Sequence, residues 1–129
     1  MRIAHNTDPK ADLLRKVGDL SGFKLTLNWV LTAIYEIPKD AKTVGGLIVP
    51  EKTASEGAFQ GKAHLVVAMG PLAFQDDENV KWGGQTLSVG DWIFARPQDG
   101  SLMEINGVKM RLFKDVSILG KLDDPDAIW

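Results

Sequence analysis

The sequence predicts an all-β protein, a small barrel or sandwich, and three observations carry that expectation. Residues 23–37 place an apolar side chain at every odd position, from Phe23 and Leu25 through Trp29 and Leu31 to Tyr35 and Ile37. A period of two fits extended chain, whereas a helix would smear the same residues around its circumference. Further short extended segments follow: AHLVVAM (63–69), TLSVGDWIFA (86–95), SLMEI (101–105), VKMRLF (108–113) and SILGKL (117–122). Explicit turns punctuate them. Asn106-Gly107 is the pair favoured by a two-residue hairpin needing positive φ, and Pro97-Gln98-Asp99-Gly100 is a second turn.

Taken in order, the chain first predicts a short helix within 6–20, with Asp8 as N-cap and Pro9 at the first helical position. Leu13, Leu14 and Val17 share one side of it, and Gly18 and Gly22 end it. So few apolar residues require a partner surface for the helix to persist. The long strand then runs over 23–37 until Pro38, which has no amide to donate. The stretch 74–85 reads as a polar excursion, a hairpin carrying Trp82. The tail 123–129 is acidic and ends on Ile128 and Trp129.

Composition excludes several function classes. The 129 residues suit one domain, and 44% hydrophobic with 25% charged residues is ordinary for a soluble globular chain. A formal charge of −2 leaves no electrostatic footprint for nucleic acid or an anionic membrane. No apolar run approaches the ~18 residues of a membrane span, and the first ten residues lack the apolar region of a signal peptide. A cytoplasmic location is therefore expected. There is no cysteine, which rules out thiol nucleophiles and zinc–thiolate sites. His5 and His64 are the only histidines, and neither stands in a metal or nucleophile motif, so His64 is expected to be structural. Asp76, Asp77 and Glu78 lack the alternating ligands and central glycine of a calcium loop and read as a solvated turn. Gly45-Gly46 and Gly83-Gly84 lack the strand–glycine–helix setting of a phosphate cradle. No residue set argues for an enzyme, and no metal or cofactor is expected.

One stretch stands out. Leu47, Ile48 and Val49 follow Gly45-Gly46 and precede Pro50, and a solvating run from Lys52 to Gly57 comes next. Such a triplet is either a short buried strand or an exposed contact surface. Burying it on a partner would yield roughly 1.5–3 kcal/mol per side chain. Ordering the flanking chain costs about 1–2 kcal/mol per residue, so one copy binds weakly and several copies on one ring bind by avidity.

The pattern Lys42-Thr43, Gly45-Gly46, Leu47-Ile48-Val49-Pro50 resembles the mobile loop of the chaperonin-10 family, the GroES-type co-chaperonins, including bacteriophage-encoded and divergent bacterial versions. Val89-Gly90-Asp91 before Trp92-Ile93-Phe94 is similar to the family's turn into a barrel strand, and 115–119 (DVSIL) to its closing strand. The resemblance covers roughly 23–122. It implies a small, partly open antiparallel β-barrel with a mobile loop at 42–61 and a roof hairpin at 74–85. It also implies assembly as a heptameric ring that caps a GroEL-type chaperonin. The partner-binding residues would be Gly45, Gly46, Leu47, Ile48, Val49 and Pro50, with ATP and ADP bound by the chaperonin and not by this chain. Departures fall on strands that family members use for subunit contacts: Asn28-Trp29 stands where the family has Asp-Arg, and 61–70 is longer. The extension 1–22 and the tail 123–129 have no family counterpart. An alternative reading is a phage virion protein reusing the barrel, with a major capsid protein as its partner.

Overall fold

The computed structural model describes residues 3–4, 7–35, 42–43 and 63–125. In chain order the elements are β1 (Ile3–Ala4), α1 (Pro9–Val17), β2 (Trp29–Ile34), β3 (Lys42–Thr43), β4 (Ala63–Met69), β5 (Trp92–Ala95), β6 (Ser101–Ile105), β7 (Val108–Lys114) and β8 (Ile118–Leu122). Six strands form one antiparallel sheet in the order β6-β7-β2-β4-β5-β8, and β1 pairs with β3 apart from it. The edge strands β6 and β8 are not paired with each other, the arrangement of a small, partly open barrel. The predicted all-β class stands.

The helix forms as its sequence dictates. The Asp8 carboxylate accepts from the Lys10 N–H at 3.2 Å, Pro9 opens the first turn, and Gly18 closes the helix at φ +68°. Val17 is buried at its end, and Leu13 packs against the same apolar cluster, while Leu14 is turned out to solvent. The surface that this short helix needs is one face of the sheet. The hairpin turn secures it: Asn106 Nδ2 donates to the Val17 carbonyl at 2.8 Å and to the Asp19 carbonyl at 3.3 Å. Those carbonyls lie at a helix end, where no intrahelical partner exists. Asn106 and Gly107 take φ of +54° and +78°, as a two-residue β6–β7 hairpin requires.

The long strand expected over 23–37 is shorter. Leu27 sits at φ +51°, a left-handed conformation that breaks the extended run, and regular pairing begins only at Trp29. Phe23 and Leu27 are consequently exposed, at 48% and 59%. Within β2 both faces are buried. Leu31 and Ala33 join a cluster with Leu65, Trp92 and Met110, while Val30 joins a second with Val66, Ile93 and Phe113. The polar member of the second face, Thr32, is satisfied by donating to the Arg111 carbonyl at 2.9 Å. A register shift between Leu31 and Thr32, where β2 meets β4, lets Val67 and Ala68 both face the first cluster.

Two other extended expectations are corrected. In 86–95 only Trp92–Ala95 is strand, because Gly90 at φ +97° turns the chain just before it. The turn is nonetheless stitched to β4, with Gly90 N–H donating to the Val66 carbonyl and Val66 N–H to the Asp91 carbonyl. In 74–85 no strand pair forms, so the expected roof hairpin is built of turns without a ladder.

Candidate functional site

The residues expected to bind a partner, Gly45 to Pro50, lie outside the described residues, as does most of 42–61. The described residues do define how that segment leaves the barrel. β2 and β4 are hydrogen-bonded neighbours, with Ile34 opposite His64, and the Tyr35 N–H donates to the Ala63 carbonyl at 3.2 Å. Residues 36–62 therefore begin and end on adjacent positions of two central strands. Tyr35 and Ala63 are buried, and the Tyr35 ring meets Trp92 edge-on at 5.4 Å. An edge-on aromatic contact of this kind adds about 0.5–1.5 kcal/mol beyond burial. The platform is thus fixed on a strand pair covered on both sides. β3, the first two residues of the 42–61 segment, pairs with β1, Ile3 opposite Thr43 and Ala4 opposite Lys42.

Of the other singled-out residues, His5 lies outside the described residues, and His64 and the acidic run are accounted for by local structure. His64 is fully buried, edge-on to Phe113 at 5.2 Å, and its Nε2 lies 3.4 Å from Arg111 Nη1. A guanidinium has only donors, so that ring nitrogen serves as acceptor. Burial of Arg111 works against its charged form and lowers its pKa from the usual arginine value. The acidic run is a turn in which carboxylates replace missing backbone partners. One Asp77 oxygen accepts from both the Asn79 and Val80 N–H at 2.7 Å, and Asp76 accepts from the Trp82 N–H at 2.7 Å. The Val80 and Asn79 amides hold the Asp77 carboxyl below its ordinary range. Among the described residues, no group of His, Cys, Asp or Glu is placed to hold a metal, and no helix is long and apolar enough to cross a membrane.

A polar node escaped the sequence. Asp115 is buried; one carboxylate oxygen accepts from Asn28 Nδ2 at 2.8 Å and the other from the Phe74 N–H at 3.0 Å. The Asp115 N–H in turn donates to the Asn28 carbonyl at 3.1 Å. This node holds Phe74 at φ +60° and ties the start of 74–85 to the turn before β8. Residues 28, 74 and 115 share no spacing that periodicity could detect. Beside it, Leu27, Leu72 and Val116 are all more than half exposed and line one shallow cavity.

Comparison with known proteins points one way. The family model described as chaperonin 10 kDa subunit matches residues 29–122. A protein named co-chaperonin GroES from Parvibaculum lavamentivorans is 32% identical over 90 residues, covering 70% of this chain and 80% of that protein. Co-chaperonin GroES 2 of Rhodopseudomonas palustris is 33% identical over 94 residues, covering 73% and 85%. Co-chaperonin GroES of Bacteroides thetaiotaomicron is 33% identical over 89 residues, covering 69% and 87%. The virion alternative draws no support from these matches.

Proposed function

Because this chain belongs to the chaperonin 10 kDa subunit family, we propose that it is a co-chaperonin whose 42–61 segment engages a GroEL-type chaperonin and closes its folding chamber. Residues 23–122 form the barrel domain, 1–22 an extension and 123–129 a tail. Leu47, Ile48 and Val49 are the anchors, Gly45 and Gly46 give the backbone freedom to seat them, and Pro50 ends the contact. Each anchor side chain contributes roughly 1.5–3 kcal/mol, much of it offset by ordering the segment. A ring multiplies this weak contact into useful avidity that still releases, and seven copies is the number we assign. The chain performs no catalysis in this scheme. Nucleotide is bound and hydrolysed by the chaperonin, and both act in the cytoplasm.

The observation that carries the reading is the family match over 29–122, which spans the two strands that launch 36–62. An aliphatic triplet between a double glycine and a solvating run is the kind of segment such a platform presents. The test is native mass spectrometry of the protein with a GroEL-type chaperonin, with and without ADP. Wild type joins the chaperonin as a ring when nucleotide is present. Ile48→Asp keeps the fold, judged by its urea transition, and loses the complex. A folded Ile48→Asp ring that still caps would overturn the site assignment.

A further inference from the structure

We infer that the N-terminal extension is a tether for the root of the 42–61 segment, an inference that rests on reading that segment as the chaperonin-binding element. The β1–β3 ladder stands apart from the six-stranded sheet, and among the described residues β1 is the only strand paired with β3. A two-stranded pair of this length has no independent stability in water. What sustains it is the anchoring of both strands nearby.

Residues 5–8 join β1 to α1, a reach of at most roughly 18 Å. That helix is itself fixed, capped by Asp8, buried at Val17 and bonded at its carboxyl end to Asn106 of the β6–β7 turn. On the other side, residues 36–41 join β3 to Tyr35, which is held by the Ala63 carbonyl and the Trp92 ring. The two short connectors keep β1 and β3 within reach of each other, which cuts the entropy of closing the ladder. The family match begins at residue 29, so β1 and α1 both lie outside it. The extension adds to the matched barrel a second attachment for the segment that the barrel launches. Binding then starts from residues 42–43 already placed, and less chain remains to be ordered by the partner.

The experiment compares the full chain with a variant starting at Thr7, reading hydrogen exchange at the Lys42 and Thr43 amides and affinity for a GroEL-type chaperonin with ADP. Neighbouring pairs in an antiparallel ladder alternate between bonded and non-bonded, so the point variant replaces both positions, Ile3→Pro with Ala4→Pro. Both variants should exchange at 42–43 about tenfold faster or more, with the amides of β2, β7 and α1 unchanged. Chaperonin affinity should fall about tenfold, since the root must now be ordered on binding. Ala4→Val, which suits a strand, should behave as wild type. Unchanged exchange at 42–43 overturns the tether, and faster exchange with unchanged affinity overturns its positioning role. A folded Ile48→Asp that still binds strikes down the assignment of the binding segment instead, and the exchange result continues to decide the tether.

Discussion

The two faces of β2 are closed in different ways. One is covered mainly by a helix, α1 through Leu13 and Val17, continued by Leu20 and Leu25 of the loop that follows. The other is covered by a stretch without strand or helix, through Phe74, Trp82 and Leu87. The helix satisfies most of its own backbone groups and needs help only at its ends, from Asp8 and Asn106. The irregular cover has no such internal ladder, so side chains supply the partners: Asp76, Asp77 and Asp115 accept from backbone N–H groups along it. Apolar burial sets the position of both covers. Ordering is met mainly by backbone bonds on the helical side, and on the other by a few turn bonds, such as the Asp77 N–H to the Val80 carbonyl, together with the carboxylates.

That contrast predicts where each cover breaks. The largest effect is expected at the node of the irregular side. Asp115→Ala leaves the buried Phe74 N–H without its acceptor, at about 1–3 kcal/mol, and takes the acceptor from the half-buried Asn28 Nδ2 as well. A loss of about 3 kcal/mol in urea unfolding is expected, and less than 1 kcal/mol would show that backbone turns alone hold this cover. On the regular side, Val17→Ala removes two buried methyl groups and should cost about 2 kcal/mol. Its loss should stay confined to α1 in hydrogen exchange if the helix docks as a separable unit, and spread through β2 and β7 if it does not. The smallest effect is expected at Trp82. Its Nε1 is buried without a hydrogen-bond partner, while its ring meets Phe74 edge-on at 5.1 Å. Trp82→Phe gives up some apolar area and removes the unmet donor, so stability should change by no more than about 0.5 kcal/mol. A loss above about 1.5 kcal/mol would mean that packing of the larger ring is what fixes the irregular cover.

Close packing explains a further part of what the sequence did not announce. A Cβ on Gly70 would come within 2.4 Å of the Leu27 carbonyl, and one on Gly120 within 2.4 Å of the Phe94 ring. In the sequence Gly70 marks the end of one extended segment and Gly120 lies inside another, whereas the structure uses both as places where backbone or ring must approach. The exposed side of β8 has a similar origin. A register shift between Phe94 and Ala95 pairs Gly120 with Phe94 and Ile118 with Ala95, and Leu119 between them is exposed.

Local features were legible because local chemistry fixes them. The caps of α1, the Asn106-Gly107 turn, the turn at Pro97–Asp99 and the strands 63–69 and 101–105 lie where propensity, turn chemistry and period placed them. The all-β class followed from these alone, and the resemblance of the 42–50 pattern pointed to the family that the 29–122 match bears out. What the sequence by itself left open were features that depend on contacts between distant residues. Alternation over 23–37 could not reveal that Leu27 turns the chain, nor that β2 is buried on both faces, because the burying partners come from β4, β5 and β7. Nor could it place Asn28, Phe74 and Asp115 together, or carry residues 3–4 to 42–43. The period of a strand is written in neighbouring residues. Which surface covers it, and which distant segment it pairs with, is decided only when the whole chain closes and every buried polar group must find a partner.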